Sequence, residues 1–174
     1  LGFPRPRVPH RIEHAQMLDD ADVARFAQLG LAVSVQAGHL LDDRQGADRA
    51  LGHRARLCYR FGDLWRAGAN LIFGTDAPVS EIDPRYGMKA ALHRCFPGEN
   101  PWFPEQRLPA KIIWNGYTSA AARAAGWGDL VGSLLPGYRA DLVACHCDSF
   151  QCVAMLSHIQ NRQAQIEVVP SASA

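Results

Sequence analysis

The chain has 174 residues, 48% apolar and 20% charged, with a formal net charge of +1 at neutral pH. That length suits one domain able to bury a real core. So balanced a charge gives no electrostatic case for a nucleic-acid or anionic-membrane partner. No apolar run approaches the roughly 20 residues that a membrane helix needs. The start, Leu1-Gly2-Phe3-Pro4-Arg5-Pro6, has no apolar leader segment, and the absence of an initial methionine suits a partial reading frame. Five irregularly spaced cysteines argue against a disulfide framework and for reduced thiols in a cytoplasmic setting.

Residues 1–10, rich in proline, read as an irregular lead-in, followed by a short β-prone run around Ile12 that ends at His14. A helix then starts with Asp19 as its cap and Asp22 in its first turn, buries Val23, Phe26 and Ala27, and stops at Gly30. Leu31 to Val35 reads as a buried strand leading to Gln36-Ala37-Gly38-His39. The charged stretch 40–52 reads as a long loop. A helix is expected over 53–67, with Leu57, Phe61 and Leu64 on one stripe and Gly68 closing it. Asn70 to Phe73 is the next strand, and it delivers Gly74-Thr75-Asp76. Alternating strands and helices of this kind build parallel α/β units.

Further on, a helix is expected near 85–95, a proline-rich surface excursion over Phe96 to Pro104, and a helix over 109–125 broken by Gly126-Trp127-Gly128. Val131 to Leu134 and Ala140 to Cys145 read as strands joined by a Pro-Gly turn, Gln165 to Val169 as a last strand, and 170–174 as a loose tail.

Two of these apolar or β-prone runs end in a side chain that can bind metal, the first too short to establish a strand by periodicity alone: His14 in Arg11-Ile12-Glu13-His14-Ala15, and Asp76, 62 residues later (76 minus 14). A (β/α) barrel places its chemistry at such strand ends. Each residue also has a plain reading, His14 as a core histidine bonded to a carbonyl and Asp76 as a turn or cap residue. Glu13 alternates with His14 and should point away from the site, paired with Arg11. His39 is either a substrate contact or a solvent-facing loop histidine. Cys145, Cys147 and Cys152 invite a zinc-module reading, weakened by the absence of a Cys-x-x-Cys pair. Trp102, Phe103 and Trp127 read first as packing residues.

The two strand-end motifs, with the later Gly132-Ser133-Leu134-Leu135-Pro136-Gly137-Tyr138-Arg139-Ala140-Asp141-Leu142-Val143, resemble the amidohydrolase superfamily of metal-dependent hydrolases. The subgroup they are most similar to contains the N-substituted formamide deformylases. The resemblance implies an α/β fold: residues 1–126 as the last three strands of a (β/α)8 barrel, and 127–174 as part of a small β-sandwich. It implies that His14 and Asp76 bind a divalent metal, with zinc the first choice, that Asp76 is also the catalytic base, and that His39 contacts substrate. The implied reaction is hydrolysis of a carbon–nitrogen bond in a small-molecule amide or formamide-like substrate; a homo-oligomer is left open. The superfamily's His-x-His pair and its fourth- and fifth-strand ligands have no match here, so the resemblance also implies a C-terminal fragment, inactive alone. Two other readings stand beside it: a truncated, non-enzymatic remnant that binds a partner, and the zinc module at Cys145, Cys147 and Cys152.

Overall fold

The computed structural model describes residues 8–145, 152–158 and 164–167. Its first sheet holds three parallel strands in sequence order, β1 (Arg11–Glu13), β2 (Ala32–Val35) and β3 (Asn70–Phe73). Helix α1 (Asp20–Leu29) links β1 to β2; α2 (His39–Leu51), a 3-10 segment (Gly52–Leu57) and α3 (Phe61–Arg66) link β2 to β3. After β3 come α4 (Pro84–His93), a 3-10 turn (Pro104–Gln106), α5 (Ala110–Tyr117) and α6 (Ser119–Ala124). A second, antiparallel sheet pairs β4 (Leu142–Cys145), β5 (Cys152–His158) and β6 (Ala164–Glu167) in that order.

β2 and β3 are buried because their residues are largely apolar on both faces, as a parallel sheet covered by helices requires, whereas β1 lies exposed. Ala32, Val33 and Val35 have no exposed surface, and Leu71, Ile72 and Phe73 are buried beside them. Phe61 and Leu64 of α3, Leu40 of α2, Ala90 of α4 and Ile113 of α5 are likewise fully buried. Each such large side chain contributes about 1.5–3 kcal/mol relative to exposure. Phe73 meets Tyr117 face to face at 5.2 Å and Phe61 edge-on at 6.4 Å, which joins β3 to α5 and α3. Gly116 permits this contact: a Cβ there would lie 2.3 Å from the Phe73 ring.

Several expectations hold. Asp19 caps α1 by accepting from the Ala21 N–H, and Gly30 ends it at φ 66°. Arg11 Nε donates to Glu13 Oε1 at 2.9 Å. The chain turns at Gly126, where the preceding helix is expected to break.

Others are corrected. Residues 40–52 are not a loop: His39–Leu51 is helical. Its inner stripe is Leu40, Arg44, Ala47 and Leu51, and Arg44 is buried through an ion pair with Glu99 and the Phe96 ring, 5.1 Å away. A charged residue at a core position hides the period. The single helix expected over 53–67 is instead a 3-10 segment and the short α3, separated by Tyr59 at φ 51°. There the chain pairs with residues 16–18: Leu18 N donates to Leu57 O and Tyr59 N to Gln16 O. That tertiary pairing overrides helical propensity. The helix over 109–125 breaks at Thr118, whose hydroxyl donates to the Trp114 carbonyl. Val131 to Leu134 forms no strand, and β5 is an addition. Cys147, the lead-in 1–7 and the tail 170–174 lie outside the described residues.

Two outcomes are expected. Gly116→Ala forces a methyl group into the fixed Phe73 ring and should cost about 1–3 kcal/mol, read as a lower urea midpoint. Burial pushes the Asp63 carboxyl up, but hydrogen bonds from Arg60, Arg66 and Gln106 outweigh it and hold it below the ordinary 3.8. A carboxylate held low stabilises the fold above its unfolded value and loses that contribution as pH falls through the folded one. Asp63→Asn should therefore flatten the fall in melting temperature at pH values below about 4.

Candidate metal centre

The ladder between the parallel strands runs past their ends. His14 N donates to Ser34 O at 2.7 Å and Gly74 N to Val35 O at 3.1 Å, so all three strands finish at one edge. His14 follows β1 directly, His39 opens α2 three residues beyond Gln36, and Asp76 lies three beyond β3. Their ligand-capable atoms all lie within 4.8 Å of one another. The two imidazoles stack at 5.9 Å with an 18° angle between planes, and His39 Nε2 lies 3.9 Å from Asp76 Oδ2.

The burial of the three differs in a useful way. The His39 side chain is 13% exposed, whereas that of Asp76 is 38% exposed and reaches solvent. His39 Nε2 is buried and has no hydrogen-bond partner, as is the nearby amide oxygen Gln36 Oε1. A buried polar atom without a partner costs about 1–3 kcal/mol. An imidazole nitrogen left open toward a carboxylate and a second imidazole has the chemistry of a metal ligand. A tetrahedral site with bonds of about 2.0–2.2 Å places its donors about 3.4 Å apart. The three groups thus fit one divalent ion after side-chain adjustments on the order of an ångström.

The backbone is held in an unusual shape at the same place. His14, Ala15 and Asp76 have φ of 66°, 44° and 61°. Such left-handed geometry costs of order 1–3 kcal/mol for a residue with a side chain and concentrates at functional sites. At Asp76 it is held by Val79 N donating to Asp76 O at 2.8 Å and by Ala77 N donating to Thr75 Oγ1 at 3.3 Å. Gly38 lets α4 come close behind His39, since a Cβ there would lie 2.8 Å from the Tyr86 ring.

The structure therefore brings together the three candidate residues singled out in the sequence. It sets His39 beside the other two as a third donor, a placement its loop reading did not suggest. The Leu40, Arg44, Ala47, Leu51 spacing puts His39 on the first turn of a helix, but the charge at Arg44 masks that period in the sequence. Cys145 and Cys152 are register partners across β4 and β5. Trp102 packs against the first core and donates to Asp48 at 3.0 Å, and Trp127 is 63% exposed. Among the described residues, no helix is long and apolar enough to cross a membrane.

Comparison with known proteins places the chain in a family. The family model for the amidohydrolase family matches residues 2–164, and the chain belongs to that family. It is 37% identical over 143 residues to Protein LONG AFTER FAR-RED 3 of Arabidopsis thaliana, covering 80% of this chain and 24% of that protein. Among solved structures it is similar to an uncharacterised metal-dependent hydrolase from Pyrococcus horikoshii OT3. The identity is 32% and the TM-score 0.66, over 76% of this chain and 27% of that one. Atrazine chlorohydrolase TrzN from Arthrobacter aurescens TC1, complexed with zinc, shares the fold at 20% identity and a TM-score of 0.55, over 84% of this chain and 34% of that one. The chain spans about a quarter of the length of the first two relatives.

Proposed function

We propose that the chain carries part of the catalytic centre of a metal-dependent hydrolase. The enzyme would cut a carbon–nitrogen bond, other than a peptide bond, in a small amide or formamide-like substrate. The observation that carries this reading is the convergence of His14, His39 and Asp76 within 4.8 Å, with His39 Nε2 buried and unpartnered. Family membership supports hydrolysis, and the metal-dependent relatives support a divalent ion; zinc suits an imidazole–carboxylate set. The three parallel strands would then be the last of an eight-stranded barrel, with 127–174 contributing to a β-sandwich.

In this reading His14 and His39 hold the ion from the enclosed side and Asp76 from the open side. A bound divalent ion supplies Lewis acidity, which polarises a substrate carbonyl and makes a water molecule more acidic. Asp76, at the solvent-facing side of the group, accepts the proton of the attacking water at a carboxylate oxygen. It then passes that proton to the departing nitrogen, so that the amine leaves neutral. His39, stacked against His14, also presents an enclosed edge against which a substrate can be oriented. Three strands do not close a barrel, so the 174 residues by themselves are expected to show no turnover.

The test is metal analysis and turnover of the full-length natural protein with N-substituted formamides and simple amides, following release of amine and carboxylate. His14→Ala and Asp76→Asn should each lose bound metal, and turnover should fall by about 10²-fold or more. Wild-type metal content and rate in both variants would overturn the reading. His39→Ala separates its two roles. Loss of metal marks a ligand; full metal content with a raised KM marks a substrate contact.

A further inference from the structure

The His14 and His39 segments are joined by a residue that belongs to neither. Tyr59 is 3% exposed, and its phenol donates to the Asp43 carboxylate. The same oxygen accepts from Gln16 Nε2 at 2.8 Å, and Gln16 Nε2 also reaches Asp43 Oδ2 at 3.4 Å. Gln16 lies two residues after His14. Asp43 lies one helical turn after His39 on α2, and residues four apart share a helix face. One phenol therefore ties the turn bearing His14 to the helix bearing His39.

Tyr59 is itself fixed on all sides. Its ring meets Phe61 edge-on at 5.9 Å and Trp102 at 6.2 Å, and its carbonyl accepts from Arg94 at 3.1 Å. Its N–H donates to Gln16 O at 2.8 Å, and Met17 pairs with Cys58 beside it. His14, Ala15 and Tyr59 all have positive φ, a geometry that persists only where surrounding contacts over-determine it. Burial, with the Asp43 carboxylate adding to it, keeps the phenol protonated and so a donor.

We infer that Tyr59 is a positioning residue for the metal centre, setting the separation of the His14 and His39 imidazoles through its hydrogen bonds to Gln16 and Asp43. The inference rests on the metal-site reading above. Partners of this kind hold ligands in place without touching the ion, and their loss commonly weakens metal binding by about 10- to 100-fold.

Titration of the full-length natural protein with Co²⁺, followed by visible absorption and by competition with a chelator, tests it. Tyr59→Phe should bind Co²⁺ about tenfold more weakly and shift the visible band, with its circular dichroism unchanged. Asp43→Ala should do the same, whereas Asp43→Asn keeps an acceptor oxygen and should recover most of the affinity. The exposed Asp43 pair decides the question if Tyr59→Phe fails to fold. The inference is overturned if Tyr59→Phe and Asp43→Ala bind within twofold of wild type with an unchanged spectrum, while His14→Ala loses Co²⁺. Unchanged Co²⁺ binding in His14→Ala would instead remove the metal reading itself, and this inference with it.

Discussion

Everything at the candidate centre depends on the register of three short parallel strands. Arg11, Ala32 and Asn70 are aligned across the sheet, as are Glu13, Ser34 and Ile72. Because side chains alternate with a period of two, a slip of one residue would turn a whole strand over. The apolar burial of Val33, Val35, Leu71 and Phe73 makes such a slip costly. That burial fixes the strand that delivers Asp76, and the ladder from β1 to β2, continued by His14 N donating to Ser34 O, sets His14 at the same edge. Stability and chemistry share one constraint.

The third donor is held differently. His39 sits on a helix whose inner face includes a charged residue, Arg44, and whose outer turn is clamped by Asp48 to Trp102. Both clamps come from the segment after α4, which is organised around Arg94. That guanidinium is fully buried, donates to the Trp102 and Tyr59 carbonyls, and lies over the Phe61 and Trp102 rings. Burial lowers its pKa to about 10, still well above neutrality, so it remains a cation. Residues distant in sequence thus fix the helix that carries His39, while its backbone start is unassisted by any side-chain cap.

This difference explains what was legible in the sequence. β2 and β3 could be read from short apolar runs and turn signals, because local pattern and tertiary burial agree there, whereas the short, exposed β1 was legible only through the motif around His14. α1 carried both a cap and a glycine stop. α2 could not be read the same way: Gly38 supplies no capping side chain, and Arg44 interrupts the apolar stripe at a position buried only through Glu99 and Phe96. The break at Tyr59 depends on pairing with residues 16–18, more than forty positions earlier, which no local window contains. So His14 and Asp76 were visible as candidates from the motifs that contain them, whereas the placement of His39 beside them needed the fold.

The central claim is that His14, His39 and Asp76 hold one divalent ion. Anomalous diffraction from crystals of the full-length natural protein, recorded on both sides of the zinc absorption edge, tests it most directly. The account predicts an anomalous peak bonded to a nitrogen of His14, a nitrogen of His39 and a carboxylate oxygen of Asp76, at about 2.0–2.2 Å from each. A metal-loaded crystal with its peak elsewhere, and none among these three side chains, would contradict it.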